Sequence, residues 1–329
     1  MVAVVCRPIW SAVRIVVTGG AGFIGANLCR ALSTLPSAPV VVAVDDLSTG
    51  SQQNLADQPG VELVEGSILD AALLDSVIGG ADAVVHLAAR PSVPRSLADP
   101  LASHAANATG TVMVLEAARR AGSGLAGGAP HVIVASSSSV YGANPHLPKR
   151  EDMVPMPVSP YAASKLAAEA YALSYGRSLG LPVLAFRFFN VFGPLQPAGH
   201  AYAAVVPTFV SCALTGKPLP IHGDGTQTRD FTFVDTVVSV LASAIRRRVI
   251  DPNPVNLAYG SRVSLLELIA ALEKILGQEL PRDHVGPRAG DVRDSQADQT
   301  RFSAMFPEVR PTPLEDGLRA TVAWFRETH

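Results

Sequence analysis

The 329-residue sequence predicts an α/β fold: a doubly wound parallel sheet, then a smaller C-terminal α/β region of more irregular texture. Three observations carry this expectation. Short β-branched runs alternate with longer helical patterns over roughly the first 190 residues, a glycine-rich turn joins the first run to the first helical pattern, and prolines and glycines become frequent from about Phe189. Runs that are apolar throughout fit strands buried on both faces, as in a parallel sheet. Their alternation with helices argues a doubly wound domain. No repeat of the length that would signal a solenoid or propeller is present.

In chain order, the predicted strands are Val13–Thr18, Val40–Asp45, Val61–Glu65, Ala83–Leu87, His131–Ser136 and Val183–Phe188. Between the first two, Phe23, Leu28, Ala31, Leu32 and Leu35 fall on one face of a helix over Phe23–Leu35. Asp99–Ala121 and Tyr161–Leu179 read as further helices, and Phe231–Arg248 as a helix returning to the sheet. Ser264, with Glu267 three residues on, is a capping box for a helix to Leu276, and Gly277 is its stop. The run Arg246–Arg248 sits at a predicted helix C-terminus, where cations suit the dipole, so it reads as a solvated end. The expected division is 13–188 with 231–258 for the sheet domain, and 189–230 with 259–329 for the second.

Composition excludes several classes. Hydrophobic residues make up 48% and charged residues 16%, enough apolar matter for a core and too little charge for a disordered chain. With 26 basic and 28 acidic residues, the formal net charge of −2 gives no bulk attraction for nucleic acid or anionic lipid. Cys6, Cys29 and Cys212 are too few and too scattered for a disulfide framework or a structural zinc site, and no metal is expected. No apolar run is long enough to span a bilayer. Met1–Trp10 reads as a short extension rather than a signal peptide, which makes the cytoplasm the expected location.

The turn Thr18–Gly25 follows a strand and opens a helix. It admits two glycine readings, 19/22/25 and 20/22/25. Glycines permit the tight turn and let the backbone approach a pyrophosphate, which then meets the free N–H groups of the helix N-terminus. Asp45 ends the second strand twenty residues after Gly25, the spacing expected of a carboxylate on an adenosine ribose. Asp46 follows, and two negative charges would repel a 2′-phosphate, which favours NAD over NADP. The fold is then of Rossmann type.

Tyr161 and Lys165 stand four apart on one face of a predicted helix. A tyrosine of ordinary pKa, about 10, is a poor base at neutral pH. A nearby ammonium would stabilise the phenolate. Some twenty residues upstream, Ser136–Ser139 follow a strand, and hydroxyls at a strand's C-terminal end face the ligand crevice of an open α/β sheet. A serine there can bridge the phenol and a substrate hydroxyl.

These motifs give the chain a resemblance to the extended short-chain dehydrogenase/reductases, and within them to the NAD-dependent UDP-sugar 4-epimerases. The resemblance covers about residues 13 to 326. It rests on Thr18–Gly25, Asp45–Gly50, His86–Ala89, Asn107 with Gly110-Thr111, the serine run, the tyrosine–lysine pair, Arg187–Asn190, Gly223–Gly225, Arg229–Phe231 and Arg288–Asp291. It implies Ser137, Tyr161 and Lys165 as the catalytic set. For NAD it implies Gly19, Gly22, Phe23, Ile24, Gly25, Asp45, Asp46, Ser48, Thr49 and Gly50. Further cofactor contacts would be Ser67 (where the family commonly has an aspartate), Ile68, Leu87, Ala88, Ala89, Asn107 and Phe189, with Tyr161 and Lys165. For the substrate it implies Ser92, Ser137, Ser138, Ser139, Asn190, Ala204, Val205, Val206 and the His222 backbone. Arg229 and Arg288 would clamp the diphosphate, Asp291 the uridine ribose, and Ser295 would set the size of the sugar pocket. Two guanidinium groups suit a diphosphate better than two ammoniums would.

The implied reaction is a redox-neutral C4 epimerisation through a 4-keto sugar. The small Ser295 favours UDP-GlcNAc/UDP-GalNAc, with UDP-Glc/UDP-Gal as further substrates. A UDP-glucuronate 4-epimerase is an alternative, with Arg90 or Arg95 as partner to the carboxylate. A 4,6-dehydratase or decarboxylase is another, disfavoured because Ser138 and Ser139 stand where dehydratases carry an acidic pair. An NAD(H)-sensing binding protein on the same fold is the non-enzyme alternative. The resemblance also implies a homodimer through the Asp99–Ala121 and Tyr161–Leu179 helices, and no nucleic-acid or membrane partner.

Overall fold

The computed structural model describes residues 13–36, 39–123, 128–198, 203–286 and 292–328. In chain order it runs β1 (Arg14–Thr18), α1 (Phe23–Ser33), β2 (Val40–Asp45), β3 (Val61–Glu65), α2 (Ala71–Ile78), β4 (Ala83–His86), α3 (Val93–Ala98), α4 (Pro100–His104), α5 (Gly110–Gly122) and β5 (His131–Ser137). There follow α6 (Pro160–Leu179), β6 (Val183–Phe188), β7 (Asn190–Phe192), α7 (Val205–Leu214), β8 (Leu219–His222), β9 (Thr228–Arg229), β10 (Phe231–Phe233), α8 (Val234–Arg247) and β11 (Val255–Leu257). The chain closes with β12 (Val263–Ser264), α9 (Leu265–Leu276), β13 (Arg282–Val285), α10 (Thr300–Met305) and α11 (Leu314–Thr328).

Seven strands form one parallel sheet in the order β3-β2-β1-β4-β5-β6-β11. The strand order reverses between β1 and β4, which opens a crevice beyond their carboxyl ends. Alternate residues of the strands feed opposite faces: Ile15, Val17, Val41 and Val85 join one apolar cluster, and Val16, Val42, Val84 and Val132 the other. That is why the central strands are apolar at successive positions rather than alternating. The first cluster does not stop at the sheet. It continues through α7, α8 and α9 to Phe302, Phe306, Leu318 and Phe325. The rest of the C-terminal region is built on three two-stranded pairings, β7 with β10, β9 with β12 and β8 with β13.

Several expectations need correction. Asp99–Ala121 is not one helix. Asp99 caps α4 by accepting from the Ala102 N–H at 3.0 Å, and a wide π turn over Ala105–Thr109 separates α4 from α5. The turn widens where Asn107 sends its side chain across to Arg90 and Ser164. Phe231–Phe233 is strand, paired with Asn190–Phe192, and the helix begins only at Val234. The run Arg246–Arg248 is not simply a solvated end: Arg247 pairs with Glu308 at 2.9 Å, and Arg248 donates to the Asp82 carbonyl. Elsewhere the local reading holds. Ser264 and Glu267 make the capping box, and Gly277 ends α9 in the left-handed region.

Candidate active site

A cleft of ≈560 Å³ lies along the carboxyl ends of the sheet strands. Gly19, Gly22 and Gly25 border it and Gly20 does not, which decides between the two glycine readings. Gly20 packs on strand β2, where a Cβ would come within 2.5 Å of the Ala43 Cβ. Gly19 has φ +72°, and a Cβ there would meet the Ala88 nitrogen at 2.6 Å; at Gly25 one would meet the Gly19 carbonyl at 2.1 Å. Side chains are excluded from this turn by backbone on both sides, and the space stays open to a ligand.

Asp45 is buried at the end of β2 and lines the cleft with Asp46, Ser48 and Thr49. Its carboxylate accepts from the Ala21 N–H at 3.0 Å and the Leu47 N–H at 2.9 Å, yet burial holds its pKa above the usual carboxylate value. Gly50 stands behind it, where a Cβ would come within 2.9 Å of both carboxylate oxygens. Phe23, Ile24, Ile68, Leu87, Ala88, Ala89 and Phe189 also line the cleft. Ser67 does not. Its hydroxyl accepts from the Leu69 N–H at 3.2 Å, while its neighbours Gly66, Ile68 and Leu69 form the wall.

Ser137, Tyr161 and Lys165 all border the same cleft. α6 presents the latter two because Ser159 caps its first turn, accepting from the Ala162 N–H at 3.1 Å, with Pro160 at the first helical position. Ser137 ends β5, and its oxygen accepts from the Ser139 N–H and hydroxyl at 3.2 and 2.9 Å. Ser137 and the Tyr161 phenol face the same end of the cleft. Burial raises the Tyr161 pKa and the nearby Ser137 side chain opposes the rise. Lys165 is itself pushed down to about 8 by burial.

Asn107 stands behind the cleft. Its amide accepts from the Arg90 N–H at 2.7 Å and donates to Ser164 Oγ at 2.9 Å, and Ser164 donates to the Tyr161 carbonyl at 2.8 Å. A buried chain runs alongside. Thr111 donates to the Asn107 carbonyl, so its oxygen accepts from His86 Nε2, which leaves Nδ1 to accept from Thr18. Burial, with Lys165 nearby, takes the His86 pKa down to about 3.

The expected substrate residues other than Ser137 lie on neighbouring segments. Ser138 and Ser139 form a 3-10 turn after β5. Ser92 caps α3 with φ +93°. Asn190 pairs through its backbone N–H with the Asp230 carbonyl at 3.1 Å. Ala204 caps α7, where Val205 is half-buried, while the Val206 side chain belongs to the core and offers a ligand only its backbone. The His222 carbonyl, expected to meet a base, already accepts from Gln227 Nε2 at 2.5 Å. Arg229 donates to the Thr228 and Arg293 carbonyls, both at 2.9 Å, and the Ser295 N–H donates to the Thr228 carbonyl at 3.1 Å. Arg288 and Asp291 lie outside the described residues. Sequence reasoning missed Val191 and Gln196 on the cleft wall, which carry no local signal. It also missed Glu169, which the four-residue spacing 161, 165, 169 could have shown. Among the described residues, no cluster of three or more metal-ligating side chains is present, and no helix is long and apolar enough to cross a membrane.

Comparison with known proteins gives this geometry a setting. Residues 15–258 match the model of the NAD dependent epimerase/dehydratase family. The UDP-glucose 4-epimerase of Mycolicibacterium smegmatis is 38% identical over 317 residues, covering 95% of this chain and 98% of that protein. A UDP-N-acetylglucosamine 4-epimerase from Methanobrevibacter ruminantium, solved with UDP-N-acetylmuramic acid, superposes with a TM-score of 0.88 at 34% identity, over 97% of this chain and all of that one. The UDP-glucuronic acid 4-epimerase of Bacillus cereus, solved with UDP-glucuronic acid and NAD, gives 0.85 at 31% identity, over 96% of this chain and 100% of that one.

Proposed function

The chain belongs to the NAD-dependent epimerase/dehydratase family, and from that premise we propose that it interconverts UDP-hexoses at C4, with UDP-GlcNAc/UDP-GalNAc as principal substrates and UDP-Glc/UDP-Gal as further ones. The observation that carries this reading is that Ser137, Tyr161 and Lys165 line the same cleft as the glycine turn and Asp45. The glycine cradle, which any Cβ would fill, and the buried Asp45 carboxylate fit NAD. When bound, NAD supplies the acceptor for the C4 hydride and returns it.

The chain's own groups then have defined tasks. Tyr161 takes the proton from the sugar 4-hydroxyl at its phenol oxygen and later gives it back. Ser137 donates to that oxygen and stabilises its phenolate form, the state that accepts the proton. Lys165, cationic below about pH 8, adds a positive charge to the same end of the cleft. Arg229, with Arg288, holds the diphosphate, so that the sugar can turn while the nucleotide stays fixed.

Two features separate this reading from its rivals. Arg90 lines the cleft, and its guanidinium pairs with Asp99 at 3.3 Å, so a uronate carboxylate would have to compete with that partner. Ser138 and Ser139 supply no acid to expel a 6-hydroxyl. Ser295 is small and its N–H is tied to the Thr228 carbonyl beside Arg229, which supports a sugar pocket that admits an N-acetyl group. Pairing of two protomers through α5 and α6 belongs to the same reading. Incubation of the protein with a panel of UDP-sugars, with products resolved chromatographically, tests it. C4 epimers are expected from UDP-GlcNAc and UDP-Glc. Loss of water, conversion of UDP-glucuronate alone, or no conversion would each overturn it.

A further inference from the structure

Tyr161, Lys165 and Glu169 follow one another at four-residue steps on α6 and therefore share one face of that helix. The first two border the cleft. The third is 3% exposed and carries a carboxylate. A buried carboxylate demands partners, and Glu169 has three bonds from two strands. Arg187 on β6 donates to it twice, Nε at 2.9 Å and Nη2 at 2.7 Å, and Ser136 on β5 donates its hydroxyl at 2.7 Å.

Ser136 and Arg187 are register partners across β5 and β6, and the next pair in register is Ser137 and Phe188. Ser137 lines the cleft together with Tyr161, and so do Phe188 and Phe189. One carboxylate on the catalytic helix thus grips the two strands immediately before the residues that face the reaction. Arg187 is fixed in turn. Its guanidinium lies 4.7 Å from the Tyr141 ring centroid, and Nη1 donates to the Glu151 carbonyl at 3.3 Å. Apolar side chains would have joined helix and sheet at least as firmly. A bidentate pair with a third, directional bond also fixes how the helix sits along and around the strands, which apolar contact does not.

We propose that Glu169 is a positioning residue for the reaction: through Ser136 and Arg187 it holds the Ser137 hydroxyl within hydrogen-bonding reach of the Tyr161 phenol. The proposal rests on the roles given to Ser137 and Tyr161 above, so its test needs a readout that does not depend on sugar turnover. The groups facing the phenol are Ser137 from β5 and Lys165 on its own helix. Neutral His86 faces Lys165 from β4, and Ser96 Oγ accepts from the Tyr161 N–H.

Ser136→Ala removes one hydroxyl and leaves the ion pair, and should fold. In the NAD-loaded protein, the phenolate absorbance that is absent from Tyr161→Phe should titrate at a higher pH in Ser136→Ala than in the parent. The kcat for the UDP-sugar should fall about tenfold, with KM and NAD affinity within twofold of the parent, as expected for a small misplacement at the reacting atoms. Ser136→Thr, which restores the hydroxyl, should recover both readouts. Glu169→Gln should shift the titration in the same direction. An unchanged phenol titration in Ser136→Ala overturns the proposal, as does a parental kcat or a loss confined to KM. If the parent turns over no UDP-sugar while the titration shifts as expected, the functional reading fails and the positioning role stands.

Discussion

Around the glycine turn, groups that meet in space are close in sequence or adjacent in strand register. Gly19, Gly25 and Asp45 fall within one β-α-β passage, and the turn is held by the Gly19 N–H donating to the Val44 carbonyl at 2.7 Å. Around Asp230 the opposite holds. Its fully buried carboxylate accepts from the Ala297 N–H at 3.0 Å and from Ser261 Oγ at 2.8 Å, and its carbonyl accepts from the Asn190 N–H at 3.1 Å. Three distant segments meet on one residue next to Arg229. The contrast teaches where variation can enter. A dinucleotide site made of one local passage is hard to alter piecemeal, whereas a substrate region gathered from separate segments can change one of them, such as the one bearing Ser295, and keep the rest.

The largest expected effect tests whether chemistry belongs to the sheet region alone. Tyr161→Phe should lower epimerase turnover by about 10³-fold or more, near the upper end of what one acid–base group contributes. The melting temperature and NAD affinity should stay near those of the parent, measured by thermal melts and fluorescence titration. A variant that isomerises sugars at the parental rate would remove Tyr161 from the reaction.

Next comes the glycine turn itself. Gly25→Ala places a methyl 2.1 Å from the Gly19 carbonyl, so the turn must open. NAD affinity is expected to drop by about two orders of magnitude, with a melting temperature lowered by several degrees. Parental NAD binding would mean that the turn is less constrained than its packing indicates.

In the other region, Ser295→Tyr should cut turnover of UDP-GlcNAc by about 10² while sparing UDP-Glc to within a few fold, since an added ring fills the room left for the N-acetyl group. Equal loss on both sugars would show that the position does not discriminate between them.

What could be read from the sequence follows the same contrast. β2, β3 and β6 are legible to the residue because each is a short run rich in β-branched and other apolar residues, bounded by turn residues. The cap and stop of α9 are legible because they are local chemistry. Ser137, Tyr161 and Lys165 are legible because a strand end and a four-residue step place them. The break at Asn107 is not, because the wide turn is fixed by partners such as Ser164, which comes from another helix. Phe231–Phe233 reads as helix until its partner strand Asn190–Phe192 is known. β11 is three residues long, too short to stand out. The four-residue step places Glu169 on the face of Tyr161 and Lys165, but its pairing with Arg187 is not legible, because only the packing of α6 on β6 brings the two charges together.

Acid should act on the buried histidines and on the buried carboxyls in opposite directions. Burial holds His86 near a pKa of about 3 and His131 near about 4, against 6.5 ordinarily. Below about pH 6.5 the unfolded chain takes up these protons and the folded one does not, so their stabilising contribution is full above 6.5 and is lost as the pH falls. Asp230 is pushed up to about 6 by burial, and burial raises Asp45 as well. These carboxyls take up protons in the folded state before the unfolded one does, so stability is regained as the pH falls from about 6 towards 4. From pH 7 to pH 5 each buried histidine should cost about 2 kcal/mol. In urea unfolding, His86→Gln should make the acid decline shallower and Asp230→Asn should make it steeper. Parallel declines in parent and both variants would mean that neither group governs it.

The smallest effect sets the same substitution in the C-terminal region against Gly25→Ala. Gly277 ends α9 at φ +70°, its N–H donates to the Glu273 carbonyl at 2.8 Å, and a Cβ there would meet nothing within 4 Å. Gly277→Ala therefore carries only the backbone cost of a left-handed alanine, about 1 kcal/mol. NAD affinity and the KM for the UDP-sugar should be those of the parent. The two alanines share a residue type and differ in what surrounds them, one confronted by a carbonyl and the other by open space. If Gly277→Ala destabilised the fold as much as Gly25→Ala, whose site lies in ordinary helical backbone in α1, the close approach at Gly25 would cost no more than a left-handed alanine. The turn at Gly19–Gly25 would then have no special claim to be a cradle for a ligand.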